Sequence, residues 1–200
     1  MMRIMWKLKP TGSVNKSLKD YRRLVARVDR MIDCVRRKYR IHIACRKGCA
    51  CGCRNLSILP IEGLFISGAL QNLPRTMAAT IRKRAAVVHF WDCPLLQEGA
   101  CSLYAFRPII CRTHGYPLLT RYRGRPSIGY CRHNFKNAPS IPADAVIDLD
   151  KINDSLRTIN ASVAGEAGHA LKLPDRLSIS EAVFLSDIFA SHFKNASNTQ

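Results

Sequence analysis

The sequence predicts a mainly α fold: one small helical domain around an irregular cysteine-rich metal-binding centre, with one short β-hairpin. Three observations predict it. Apolar residues recur at helical spacing over residues 17–40 and again over 143–162. Residues 92–135, between them, hold no sustained period. Cys45, Cys49, Cys51 and Cys53 fall within nine residues, and Cys93, Cys101, Cys111 and Cys131 follow inside the irregular stretch.

Residues 1–15 read as a flexible arm, because Pro10, Gly12 and Ser13 break any pattern. Residues 16–200 read as a single domain with its cysteine-cluster core at 45–135. The first helix is expected over Ser17–Arg40. Leu18, Tyr21, Leu24, Val25, Val28, Met31, Ile32 and Val35 recur at three and four residues and leave the arginines facing outward. Cys34 lies on or beside this stripe and reads as a small buried hydrophobe, not a ligand.

In the cysteine stretch, Gly48 and Gly52 let the backbone bend. A second helix is predicted over Ile61–Leu73 behind Pro60, and a third from Arg75 to about Trp91. Leu118–Tyr122 and Ser127–Cys131 read as hairpin strands around Arg123-Gly124-Arg125-Pro126. Pro142 opens a helix over Ala143–Ser162, which Gly165 and Gly168 should end. The last helix follows a capping box, Ser178-Ile179-Ser180-Glu181, with Ala182, Phe184, Leu185, Ile188, Phe189 and Phe193 on its buried side.

Hydrophobic content of 47% and charged content of 23% are those of a globular chain. No apolar run approaches the roughly 18 residues that cross a bilayer, and residues 1–10 lack the apolar core of a secretory signal. The expectation is a soluble, cytoplasmic protein with no membrane partner. In a reducing compartment, clustered thiols point to metal or redox chemistry more than to structural disulfides. Nine cysteines also cannot all pair within one chain.

The net charge of +18 is concentrated in the N-terminal half, which could attract nucleic acid or another polyanion. The alternative is a solvated basic surface that also offsets thiolate charge. Arg46, Lys47, Arg54, Arg107, Arg112 and Arg132 surround the cysteines in sequence, and positive charge favours the thiolate form.

Eight thiols remain once Cys34 is set aside. Zinc takes four ligands at about 2.3 Å from sulfur, which brings the sulfurs of one site to about 3.8 Å from each other. An extended Cys-x-Cys spaces its residues by about 6.6 Å, so Cys49, Cys51 and Cys53 can share one zinc only if the loop curls tightly. An iron–sulfur cluster tolerates the wider spacing better. Two mononuclear sites, a cluster plus a structural zinc, and one cluster with spare thiols all remain open. His114 and His133 stand close to Cys111 and Cys131 and read as neighbours of the site. Tyr104 and Trp91 read as core aromatics. No phosphate-cradling glycine loop, Gly-x-Ser-x-Gly or His-Glu-x-x-His is present.

Gly99-Ala100-Cys101-Ser102-Leu103-Tyr104-Ala105-Phe106-Arg107-Pro108-Ile109-Ile110-Cys111-Arg112 resembles a motif of the YkgJ-type cysteine-cluster family, described as zinc- or iron-chelating domains. That family places a cysteine upstream and one downstream, matched by Cys93 and Cys131, and an acidic residue in the helix after its first cluster, matched by Glu62. The resemblance covers roughly residues 45–135. It departs at Cys51 and Cys53, which stand where the family has adjacent cysteines, with Gly52 between them.

The resemblance implies zinc or an iron–sulfur cluster held by Cys45, Cys49, Cys51, Cys53, Cys93, Cys101, Cys111 and Cys131. Glu62 is then a ligand, an outer acceptor or a general base; the alternative is a helix-start carboxylate that suits the N-terminal dipole. Three roles compete: a metal-binding module; a protein-modifying enzyme, since a related domain occurs in flagellin lysine methylases, associated with an iron–sulfur cluster and S-adenosylmethionine; and a basic nucleic-acid-binding metal module.

Overall fold

A computed structural model of the protein describes residues 12–46, 48–87, 91–171 and 173–185. Helices hold about half of these residues, and the sheets are small. Among the described residues no helix is long and apolar enough to cross a membrane.

Helix α1 runs Gly12–Lys38. Its buried stripe is Val14, Leu18, Tyr21, Leu24, Val25, Val28, Ile32 and Val35, so the helical pattern extends a turn upstream of the expected start. Residues 12–15 of the expected arm are therefore helical, and residues 1–11 lie outside the described ones. Arg36, Arg37 and Lys38 occupy the last turn, where positive charge suits the helix dipole. Strand β1, Ser57–Ile58, leads into α2, Pro60–Gln71, which takes in Pro60 as its first residue and ends two residues before the expected Leu73. Helix α2 is buried from Pro60 through Leu70, the behaviour of a central helix. Helix α3, Arg75–Val87, buries only Ala78, Ile81 and Ala85. It stops short of Trp91, which stands in a turn at 70% exposure and is no core aromatic.

Strands β2, Leu96–Gln97, and β3, Ala100–Cys101, pair as a small hairpin across Glu98 and Gly99. Helix α4 is one short piece, Ile109–Thr113. The predicted hairpin is present as β4, Leu118–Tyr122, and β5, Arg125–Gly129, with Tyr122 opposite Arg125. Its turn is only Arg123-Gly124, both at positive φ, so the second strand starts earlier than the sequence suggested. Pro126 is tolerated because β5 is an edge strand.

The predicted helix over 143–162 divides. Ala143–Ala145 form a 3-10 turn, and β6, Ile147–Asp148, then lies parallel to β4. The backbone N–H of Ile147 donates to the Pro117 carbonyl at 2.8 Å, which holds that residue out of a helix. Helix α5 runs Leu149–Leu171 and passes through Gly165 and Gly168 without ending. Strand β7, Leu177–Ser178, pairs antiparallel with β1. The expected capping box follows: Glu181 N–H donates to Ser178 Oγ at 3.1 Å, and Ser178 N–H and Oγ donate to Glu181 Oε2 at 2.6 and 2.8 Å. Residues 179–185 are helical; Ile188, Phe189 and Phe193 lie outside the described residues.

Helix α1 packs along α5 and also touches α2 and α4. The first and last thirds of the chain thus back the cysteine-bearing middle.

Candidate metal centre

The segment after α1 curls through two tight turns. Cys49 N–H donates to the Arg46 carbonyl at 3.1 Å, and Cys53 N–H to the Ala50 carbonyl at 2.9 Å. Their combined effect brings the Cys49 and Cys51 sulfurs to 3.3 Å, far inside the reach of an extended Cys-x-Cys. Downstream, Arg54 and Asp92 form an antiparallel bridge, which places Cys53 opposite Cys93. Pairing of Leu96 with Cys101 returns the β2–β3 hairpin to the same place, and Cys111 arrives on α4. The eight predicted cysteines all line one open cavity of about 500 Å³. Cys34 does not line it; it is exposed on α1 rather than buried.

Two glycines make room. A Cβ on Gly52 would lie 2.1 Å from His114 Nε2, so the imidazole occupies the space a side chain would need. Gly52, expected as a bend, is therefore a point of close approach. Gly115, at φ +91°, lets Cys45 and Cys131 approach closely: a Cβ there would stand 2.8 Å from Cys45 Sγ and 3.5 Å from Cys131 Cβ.

Burial controls the thiol electrostatics. It pushes Cys93 up to about 11 and Cys111 up to about 12, with neighbouring cysteines adding to the effect. Cys45, Cys53 and Cys101 are also raised, chiefly by burial. Exposed Cys49 is lowered by its hydrogen bond with Cys51, and the same bond raises Cys51. The Arg107 guanidinium opposes the rise at Cys53, Cys101 and Cys111. It is held by its bond to the Tyr104 carbonyl at 3.0 Å and by stacking 3.6 Å over the Tyr104 ring. Tyr104 is correspondingly half-exposed and not a core residue.

Arg112 plays a different part from Arg107. It is buried, donates to both Asp29 oxygens at 2.8 Å and to the Arg107 carbonyl at 2.7 Å, and so braces α4 against α1. Glu62 is 4% exposed. Its Oε2 accepts from Leu59 N–H at 3.0 Å and its Oε1 from Ile109 N–H at 2.9 Å. Both oxygens are thus spent on helix starts, including that of α4. Glu62 is the helix-start carboxylate, the alternative to a site role, and its second oxygen also fixes the start of the Cys111 helix. Burial raises its pKa despite those bonds.

Sequence reasoning missed Asn134, which is fully buried. Its Oδ1 accepts from Ala44 N–H at 2.8 Å and Cys45 N–H at 3.3 Å. Its Nδ2 donates to the Gly115 carbonyl at 2.6 Å and to Cys45 Sγ at 3.2 Å. A polar residue three after Cys131 was the available signal; its backbone N–H donates to the Cys131 carbonyl at 2.8 Å. His133 is exposed and accepts from Arg132 Nε at 3.4 Å. Lys47 lies outside the described residues.

Comparisons of the chain with family models, curated proteins and solved structures find no match. Among the described residues no three His, Cys, Asp or Glu side chains are gathered tightly enough, as they stand, to hold one metal ion.

Proposed function

We propose that the chain is a metal-binding protein that holds zinc or an iron–sulfur cluster through its eight clustered cysteines, as its likeness to the YkgJ-type family implies. The observation that carries this reading is the meeting of all eight thiols at one cavity from four separate segments. The donor set fits a thiophilic metal, since thiolate is the preferred ligand of zinc and of iron–sulfur clusters. The backbone fits too: with no Cβ at Gly115, the Cys45 sulfur and Cys131 come close to the main chain, an approach that a side chain there would block. The metal when bound would supply cross-linking of these segments. Asn134, Glu62 and Arg107 are the residues of this chain that orient and electrically support the thiols.

The test is anaerobic purification with metal and acid-labile sulfide analysis. Iron with sulfide identifies a cluster, and zinc alone identifies mononuclear sites. A chain that carries neither, and takes up neither when reduced, sinks the reading.

A second reading is favoured by the surface of α1. Lys16, Lys19, Arg23, Arg27, Arg30 and Arg37 are exposed and follow one another at near-helical spacing, as a stripe able to meet a polyanion. Binding of a fluorescent single-stranded or duplex oligonucleotide should then weaken steeply between about 50 mM and 200 mM salt. No binding at the lower salt removes this second reading.

A further inference from the structure

The eight thiols are not equivalent in placement. Cys53, Cys93, Cys101 and Cys111 are joined through backbone structure. The Arg54–Asp92 bridge sets Cys53 opposite Cys93, the Cys93 carbonyl accepts from Leu96 N–H at 3.1 Å, and Leu96 pairs with Cys101. Cys111 is brought to them by α4, whose start is fixed by Glu62. All four are half-buried.

The remaining four gather on the other side of the curl. Cys49 and Cys51 touch at 3.3 Å and are both exposed. Asn134 ties Cys45 to the turn that carries Cys131, and both residues pack closely against Gly115. A second cavity, of about 440 Å³, is lined by Cys45, Cys49 and Cys131 together with His133, and by none of the inner four. The outer group therefore opens to solvent on a side where the inner group does not.

We propose that the thiols form two four-thiolate centres, an inner one of Cys53, Cys93, Cys101 and Cys111 and an outer one of Cys45, Cys49, Cys51 and Cys131, and that the outer centre exchanges its metal with solution while the inner one retains it. This rests on the metal-binding reading above and adds the partition and the division of labour. Four thiolates complete the coordination of one zinc, so each centre is closed by protein alone. Exchange requires an incoming chelator to reach a sulfur; Cys49 and Cys51 of the outer group are exposed, whereas Cys45 and Cys131, like the inner four, are half-buried.

The experiment uses the full chain, reduced and metal-free, loaded with zinc alone and challenged with an excess of chelator. The expected uptake is two zinc per chain, lost in two phases whose rates differ by about tenfold or more. Cys51→Ser sits at an exposed position and should leave the fold intact; it should abolish the fast phase and halve the zinc content. Cys101→Ser should abolish the slow phase. Should that variant fail to fold, competition with a thiol-alkylating reagent on the unaltered chain replaces it: zinc should shield the inner cysteines longer than the outer ones. Loss of all zinc in a single phase, or loss of both phases in Cys51→Ser, overturns the partition while leaving metal binding in place. Failure to take up any zinc, in a chain that also lacks iron when isolated, overturns the metal-binding reading itself.

Discussion

Asn134 uses both ends of its amide. It accepts from the backbone at Ala44 and Cys45 and donates to the Gly115 carbonyl and the Cys45 sulfur, with no exposure to water. Removing one partner from a buried hydrogen bond leaves the other unsatisfied, at about 1–3 kcal/mol. Asn134→Ala should therefore lower the stability of the metal-free chain by about 2–6 kcal/mol in urea unfolding, summing two such groups, the Cys45 N–H or Ala44 N–H and the Gly115 carbonyl. Asn134→Asp should rescue little, because a carboxylate oxygen would face the Gly115 carbonyl. A loss under 1 kcal/mol for the alanine variant would mean that water replaces the amide. Gly115 and Gly52 give a paired test. At Gly115 a new Cβ meets the fixed Cys45 sulfur at positive φ, and Gly115→Ala should destabilise by about 1–3 kcal/mol. At Gly52 the obstacle is an exposed imidazole that can swing aside, so Gly52→Ala should cost less and His114→Ala should relieve it. Equal costs for the two glycines would contradict this account. Gly52 was visible in the sequence as an interruption between Cys51 and Cys53, but its reason was not, because His114 arrives from 62 residues away.

Glu62 shows how one side chain joins two elements. Its carboxylate takes N–H groups at the starts of α2 and α4, so the helix that carries Cys111 is oriented by a residue 49 positions earlier. Glu62→Gln turns one acceptor into a donor facing a backbone N–H. The expected loss is about 1–3 kcal/mol, with Cys111 becoming faster to alkylate in the metal-free chain. Unchanged alkylation would show that α4 is held without the cap. The β4–β6 pair has its own tie, from Arg121 to Asp148 at 3.2 Å. Arg121 holds the Asp148 carboxyl below the usual carboxylate range, and Lys38 and Tyr39 do the same for Asp144. A depressed carboxyl stabilises the fold above its unfolded value and loses that contribution as pH falls through its folded one. Unfolding midpoints should therefore drop as pH falls below about 4, and Asp148→Asn should flatten the drop. An identical pH slope in the variant would show the pair to be idle. The helices of this framework were legible where an apolar stripe kept helical spacing, as in α1, or where Pro60 marked a start, as in α2, and the Ser178–Glu181 box was legible from its residue types. Strand β6 was not, because Val146, Ile147 and Leu149 also fit a helical face; a hydrogen bond to Pro117 decides against it. Gly165 and Gly168 misled for the reverse reason, since a helix interior tolerates glycine at about 1 kcal/mol each.

At the scale of the molecule, the chain folds its two helical flanks around a middle with little secondary structure of its own. Helix α1 lies along α5, β7 returns to pair with β1 beside the cysteine curl, and the segments bearing the thiols meet at one cavity. The sequence revealed which thiols these are but not which are neighbours, because the Arg54–Asp92 bridge and the Asn134 contacts join residues far apart in the chain. The thiol-bearing segments are joined by short hairpins and turns, so a ligand that binds only the gathered thiols should stabilise the whole fold. Linkage sets the size: a ligand at 100 times its dissociation constant contributes about 2.7 kcal/mol per site. For a chain of this length each kcal/mol moves the thermal midpoint by about 2–4 °C, so one filled site should raise it by about 5–10 °C. The midpoint of the reduced, metal-free chain should rise by at least that amount on adding zinc, and by more with both centres filled, and fall back with chelator. Magnesium should leave it unmoved, because hard cations prefer oxygen ligands. A midpoint indifferent to zinc would mean that the flanking helices alone hold the middle in place and that the cysteines meet without organising it.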